Sequence, residues 1–251
     1  MTKNFVIVGG GQAAAQAIQT LQQNKYEGSI TLVGEEIYLP YQRPPLSKKY
    51  MAGELQRERL FLRPLKFYES NNIDLELGAR AIELDLGKSH VRLNNDRLLK
   101  FNGLMLATGS KVRRLKVPGS DLDGIHYVRT LADVDEILPK LKKAKKLVII
   151  GAGYIGLEVA AVSISSGLDV IVLEATERVM SRTVSTEVSN FYSRYHSKAG
   201  VNLKYLTTVS HFEGNKKVTT VETADGQKLA CDLVVVGIGI EPEVELAESA
   251  G

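Results

Sequence analysis

A single cysteine, Cys231, is the only thiol in this sequence. That excludes an intrachain disulfide, a CxxC redox pair and a cysteine-built metal site, so any redox chemistry belongs to a bound cofactor. Long apolar runs are also missing. No stretch approaches the roughly 18 uninterrupted apolar residues of a membrane span. The N-terminal MTKNFVIVGGG passes from a few polar residues straight into a short β-branched run. The expectation is a soluble, cytoplasmic protein. An excess of one charge is lacking too: 32 basic and 29 acidic residues are mixed along the chain, and the net charge of +3 does not argue for a nucleic-acid partner. The local run KLKKAKK (140–146) reads as a solvated helix face. The four histidines, His90, His126, His196 and His211, stand far apart without ligand spacing, and each is expected at the surface or an edge, with no metal site.

What is present points to nucleotide binding. With 251 residues, 44% of them hydrophobic, the chain can fill one large core or two ordinary ones. NFVIVGGGQAAAQAIQTLQ (4–22) opens with an apolar run suited to a buried parallel strand, turns through glycines and continues with apolar residues at helical spacing. Gly9, Gly11 and Ala14 fit G-x-G-x-x-G/A. One small residue makes the tight turn, the second lets backbone approach a pyrophosphate, and the third permits close helix–strand packing. The helix N-terminus then offers unpaired N–H groups and partial positive charge to phosphates. The pattern returns in KLVIIGAGYIGLEVAAVSISSG (146–167) with Gly151, Gly153 and Gly156. An interval of roughly 140 residues suits two successive nucleotide-binding domains and is far too long for a solenoid repeat.

Each copy has a second half. GSITLVGEE (28–36) is a strand ending near Glu35, and LDVIVLEATERVMSR (168–182) one ending at Glu174. An acidic side chain about 20 residues beyond the loop can accept both ribose hydroxyls of an adenosine. At Glu174 it would also repel a 2′-phosphate and favour NAD(H), an argument diluted by Arg178 and Arg182 nearby. A glutamate that merely ends a strand is the competing reading of each. Between the loops, 79–110 alternates apolar and polar residues with turn signals at LGKS and NND, then runs through GLMLATGS into Thr108 and Gly109. Segment 201–236 repeats the order, with Asp225-Gly226 as a hairpin turn before LVVVGIG. The fold class is therefore α/β, with two Rossmann-like three-layer nucleotide-binding domains, each carrying a small antiparallel meander.

Along all 251 residues the chain resembles the FAD- and NADH-dependent ferredoxin reductases of the putidaredoxin and rhodocoxin reductase type, within the pyridine-nucleotide disulfide oxidoreductase fold group. The resemblance is carried by VIVGGGQAA, ITLVGEE, PYQRPPLSK, LMLATGS, YVRTLADVDEI, VIIGAGYIGLEVAA and DLVVVGIGIEPEVELAESAG. It implies FAD on the first loop and NADH on the second. Ala13 and Glu35 would then meet the FAD pyrophosphate region and ribose, and Ala81 the adenine side, with Arg43, Lys48, Arg129, Thr108 and Gly109 also in the FAD site. Gly153, Tyr154, Ile155 and Gly156 would hold the NADH pyrophosphate and Glu174 the ribose. Arg182 would also be a cofactor-binding residue, and Gly237, Ile238 and Gly239 would approach the nicotinamide.

The resemblance also explains PYQRPPLSKKY (40–50). Adjacent prolines restrict φ and supply no N–H, so Pro44 and Pro45 hold Arg43 and Lys48 at the two ends of a stiff turn. Arg43 could fork onto the pyrophosphate, and Lys48 could place a compact charge by the flavin, neutralised by Glu158. Without the motif, Lys48 would be an ordinary solvated loop lysine.

Three stretches are implied: 1–110 as the first segment of the FAD domain, 111–240 as the NADH domain, and 241–251 as the start of a return to the FAD domain. NADH would pass a hydride to FAD, and single electrons would go on to a transient [2Fe–2S] ferredoxin partner serving a monooxygenase or dioxygenase. The alternatives are a flavin-dependent NADH oxidase or other electron-chain reductase, and a non-catalytic NAD(H)-binding fragment. After ELAESAG the family continues with the rest of the return segment and a C-terminal domain. This exact chain is therefore expected to have an exposed apolar sheet edge and weak FAD retention.

Overall fold

The computed structural model describes residues 3–251; Met1 and Thr2, the start of the polar lead, lie outside the described residues. The chain divides into two compact units. Among the described residues, unit 1 comprises 3–42, 56–111 and 242–251; unit 2 comprises 43–55 and 112–241. The segment Arg43–Leu55, which the sequence reading counts with the first domain, packs with unit 2.

Unit 1 begins with β1 (Asn4–Val8), α1 (Gln12–Gln23) and β2 (Ser29–Gly34), followed by α2 (Leu65–Ser70) and β3 (Ile73–Leu77). A meander of β4 (Ala81–Asp85), β5 (His90–Leu93) and β6 (Leu98–Lys100) precedes β7 (Gly103–Leu106). The parallel sheet runs β3-β2-β1-β7. Strand side chains alternate between two covered faces, as a parallel sheet requires. Ile7, Ile30 and Leu32 pack with Ala14 and Ile18 of α1 and Tyr68 of α2, whereas Val6, Val8 and Val33 pack with Leu84, Val91 and Leu93 of the meander. The result is three layers: helices, sheet and meander. β8 (Ser110–Val112) then carries the chain out of unit 1.

Unit 2 repeats this construction. β9 (Ile125–Tyr127) and α3 (Leu131–Leu141) lead into β10 (Lys146–Ile150), α4 (Tyr154–Ser165), β11 (Asp169–Leu173), α5 (Thr186–Lys198) and β12 (Asn202–Lys204). The meander is β13 (Val209–Gly214), β14 (Val218–Thr223) and β15 (Lys228–Ala230), before β16 (Leu233–Val236). Its parallel sheet runs β12-β11-β10-β16-β9. Val148, Ile150, Leu173, Val234 and Val236 meet Phe212, Val218 and Val221 of the meander. Gly226, at φ +82°, lies in the β14–β15 turn, where Gly226 N–H donates to the Thr223 carbonyl at 3.0 Å. After β17 (Ile240–Pro242) a short α6 (Glu245–Glu248) returns to unit 1, where Leu246 and Ala250 pack on its meander-side core.

The equivalence reaches single hydrogen bonds. Gly9 N–H donates to Val33 O and Gly151 N–H to Leu173 O, both at 2.8 Å; Ala107 N–H donates to Val8 O at 2.7 Å and Gly237 N–H to Ile150 O at 2.8 Å.

Two expectations change. The run 140–146 is the last residues of α3, a turn and the first residue of β10, not one helix face; its lysines favourably follow the negative end of the helix dipole. His126 and His196 are buried, with 7% and 5% of their surfaces exposed, because β9 and α5 turn those rings inward. No helix among the described residues is long and apolar enough to cross a membrane.

Candidate functional site

Strand register puts the glycine loops at the carboxyl edges of the two sheets. Val8 pairs with Val33 and Leu106, so Gly9–Gly11, Glu35 and Thr108–Gly109 emerge from neighbouring strand ends. Ile150 pairs with Leu173 and Val236, which does the same for Gly151–Gly153, Glu174 and Gly237–Gly239. Ligands of open α/β sheets bind at such edges.

Each loop position has the steric environment that a dinucleotide loop demands. Gly9 and Gly151 hold φ of +124° and +99°, and a Cβ on them would stand 2.0 Å from Ala107 O and 2.5 Å from Gly237 O. A Cβ on Gly156 would meet Gly151 O at 2.0 Å, so α4 lies directly against the turn. The equivalent Ala14 is fully buried. By contrast, a Cβ on Gly11 or Gly153 would find nothing within 4 Å, which leaves open space where a phosphate must approach.

The helix ends agree. α1 and α4 start at Gly11 and Gly153 with no side-chain cap and no acidic residue in the first turn. α3 and α5 are capped by Thr130 and Ser185, with Asp133 and Glu187 in their first turns. The two helices behind the glycine loops therefore keep their N-terminal N–H groups and dipole for an anion. The residues present fit a dinucleotide pyrophosphate at each loop.

The two acidic candidates differ. Glu174 Oε2 accepts Ala152 N–H at 2.8 Å, and its Oε1 accepts the N–H and hydroxyl of Thr176 at 2.9 and 2.7 Å. It thus clamps the loop itself. Glu35, 66% exposed, instead pairs with Arg80 Nη1 at 3.1 Å, and this hydrogen bond is the first cause raising the Arg80 pKa. Arg80 also reaches Glu243 at 3.5 Å, a partner absent from the sequence reading. Ala81 opens β4 beside it, Ala13 is exposed on the first turn of α1, and Tyr154 and Ile155 occupy the first turn of α4. Thr108 Oγ1 donates to Glu243 O at 2.6 Å, and Gly109 O accepts Glu243 N–H at 3.0 Å, which fixes the returning chain. In unit 2, a Cβ on Gly239 would lie 4.0 Å from an Arg182 guanidinium nitrogen, placing that arginine by the Gly237-Ile238-Gly239 turn.

The proline segment forms a 3-10 helix, Pro44–Ser47, with Arg43 and Lys48 as its two caps. Arg43 Nη1 donates to Arg129 O at 2.9 Å. Lys48 Nζ stands 2.8 Å from Glu158 Oε1, the pair implied by the resemblance. Two partners lie outside the sequence candidates: Ser47, whose hydroxyl donates to Glu158 Oε2 at 2.5 Å, and Tyr50, which donates to Asp135 at 2.5 Å. Nothing in the local sequence identified them, because their acceptors sit on α4 and α3.

The histidines also acquire neighbours that spacing did not reveal. His126 groups with Asp123 and Glu136, and His211 with Glu213 and Glu222. In each group a lysine ammonium already sits between the carboxylates: Lys140 lies 2.6 Å from Asp123 and 3.1 Å from Glu136, and Lys228 lies 2.7 Å from Glu213 and 3.4 Å from Glu222. Cys231 is buried, and burial pushes its thiol up to about 12, which leaves it without nucleophilic character at neutral pH.

Two glycine loops with room for a phosphate, at the carboxyl edges of two parallel sheets, define the fold class of dinucleotide-binding domains. The chain belongs to the pyridine nucleotide-disulphide oxidoreductase family, whose model matches residues 3–251. It is 40% identical over 249 residues to rhodocoxin reductase of Rhodococcus erythropolis, covering 99% of this chain and 58% of that protein. It is also 40% identical to putidaredoxin reductase of Pseudomonas putida, over 99% of this chain and 60% of that one. A crystal structure of the covalent putidaredoxin reductase–putidaredoxin complex matches with a TM-score of 0.96 at 40% identity, over 99% of this chain and 61% of that one. The chain thus spans less than two thirds of the length of the relatives it matches.

Proposed function

We propose that this chain is the two-nucleotide part of an FAD-dependent reductase that takes a hydride from NADH and passes electrons singly to a [2Fe–2S] ferredoxin serving a monooxygenase or dioxygenase. The carrying observation is the duplicated loop, with Gly11 and Gly153 open to a ligand and both following helices uncapped. FAD would be held by 1–110 with the returning 241–251, and NADH by 111–240. Gly9, Gly11, Ala13 and Ala14 would hold the FAD pyrophosphate, with Glu35 and Ala81 toward its adenosine. Gly151, Gly153, Tyr154, Ile155 and Gly156 would hold that of NADH, with Glu174 toward its ribose.

Bound FAD supplies the conversion of a two-electron donor into a one-electron donor. The residues supply position and field. Lys48 offers a positive charge that favours a cofactor gaining negative charge, and Glu158 neutralises that ammonium when no such charge is present. Arg43 and Arg129 would also line the FAD site, while Gly237, Ile238 and Gly239 would face the nicotinamide. Identity of about 40% to two named reductases supports the electron-transfer assignment. We place this activity in the cytoplasm, where NADH is supplied.

The test is the visible spectrum of the purified chain, followed by NADH consumption with a [2Fe–2S] ferredoxin and, separately, with oxygen alone. With FAD added in excess to offset weak retention, a bound-flavin band and ferredoxin-dependent turnover are expected. NADH oxidation indifferent to ferredoxin would favour an oxidase, and NAD(H) binding without flavin a non-catalytic module.

A further inference from the structure

Resting on that reading of Lys48, we propose that Ser47 is the positioning residue for the lysine and acts through Glu158. Ser47 is 5% exposed and closes a 3-10 helix whose first two φ values are set by Pro44 and Pro45, so its backbone is held stiffly and its hydroxyl is enclosed. That hydroxyl donates to Glu158 Oε2 at 2.5 Å while Lys48 donates to Oε1 at 2.8 Å. The two oxygens of one carboxylate are therefore held by consecutive residues.

The terminal torsion of a glutamate is broad, so a carboxylate held at one oxygen can swing. Lys48 has a flexible four-carbon stem and is 49% exposed, and an ion pair that open to water fixes geometry weakly by itself. A short charge-assisted bond from a buried hydroxyl removes the carboxylate's rotation. Lys48 Nζ also donates to Pro44 O at 3.2 Å, so its position is triangulated between the 3-10 helix and α4. An ammonium has three N–H groups. Among the described residues two are engaged, and the third is aimed wherever Ser47 and Glu158 set it.

An alanine at Ser47 leaves no buried donor unpaired; it only frees one oxygen of Glu158. The fold should therefore tolerate the change while the aim of Lys48 is lost. The test compares Ser47→Ala and Ser47→Thr in the full chain. Ser47→Cys, of similar size and with a weak donor, replaces Ala should that variant not fold.

The first readout, in lysine-15N-labelled protein without added nucleotide, is the NMR order parameter of the Lys48 ammonium, assigned by Lys48→Arg. The second is the stopped-flow rate constant for flavin reduction by NADH, with the NADH Kd measured separately. In Ser47→Ala the order parameter should fall, the rate constant should drop about tenfold and Kd should stay the same, and Ser47→Thr should restore both. An unchanged order parameter overturns the proposal, as does a rate lost without loss of order. If the parent chain holds no reducible flavin, the functional reading fails separately, and the order parameter alone decides Ser47.

Discussion

The carboxylate of Glu174 accepts the backbone N–H of Ala152 at 2.8 Å, so the residue expected to select the cofactor also braces the loop that would hold it. Ala152 is fully buried, and its N–H would lose its partner in Glu174→Ala. An orphaned buried donor costs about 1–3 kcal/mol. Urea unfolding should show that loss for Glu174→Ala and a much smaller one for Glu174→Gln, which keeps an acceptor oxygen. If Glu174 also faces the ribose, both variants should narrow the preference for NADH over NADPH. Unchanged selectivity in both would leave it as a loop brace only.

Gly156 gives a second expectation. A Cβ there would stand 2.0 Å from Gly151 O, a backbone atom that cannot move aside cheaply. Overpacking of this kind costs about 1–3 kcal/mol or more, and here it would also push α4 away from the turn. Gly156→Ala should lower the denaturation midpoint and weaken NADH binding. The reverse change in the other copy, Ala14→Gly, should cost only about 0.5–1 kcal/mol, from helix entropy. Equal effects on calorimetry would contradict the packing account.

If Lys48 stands by the flavin as proposed, Lys48→Ala and Glu158→Ala should slow flavin reduction by NADH about tenfold or more, since each removes charge or its counter-charge from that position. Stability should change far less. The pair is 49% and 25% exposed, and ion pairs in such surroundings contribute about 0–1 kcal/mol. Stopped-flow rates equal to the parent's would remove both residues from the reaction.

The buried imidazoles predict acid sensitivity. His196 is pushed below its ordinary 6.5 by burial; His126 is pushed down by burial first and then by Lys140, against the pull of Glu136, Asp123 and Asp133. Folded protein keeps these rings neutral, whereas unfolded chain protonates them below about pH 6.5. The unfolded state then binds more protons, so stability present above that pH is lost as pH falls through the folded values. The melting temperature should decline from about pH 6.5 downward, less steeply in His196→Gln. A decline of the same slope in that variant would clear His196 of any part in it.

Both glycine loops, the strands ending beside Glu35 and Glu174, and both meanders were legible because each depends on neighbours in sequence: period-2 alternation, glycines at fixed offsets and small residues one turn into a helix. The same locality explains the misses. Buried His126 and His196, the Arg80–Glu243 contact and the lysines inside the two histidine–carboxylate groups depend on side chains that meet across strands or from distant segments.

The sequence by itself determined the class of protein, since a dinucleotide loop is written in the sizes of a few consecutive residues. Only tertiary structure decided that Arg43–Leu55 packs with unit 2 and that Ser47 takes the oxygen of Glu158 that Lys48 leaves. The physical reason is that hydrogen bonds of 2.5 and 2.8 Å need atoms placed by the packing of the 3-10 helix against α4, which no local pattern encodes.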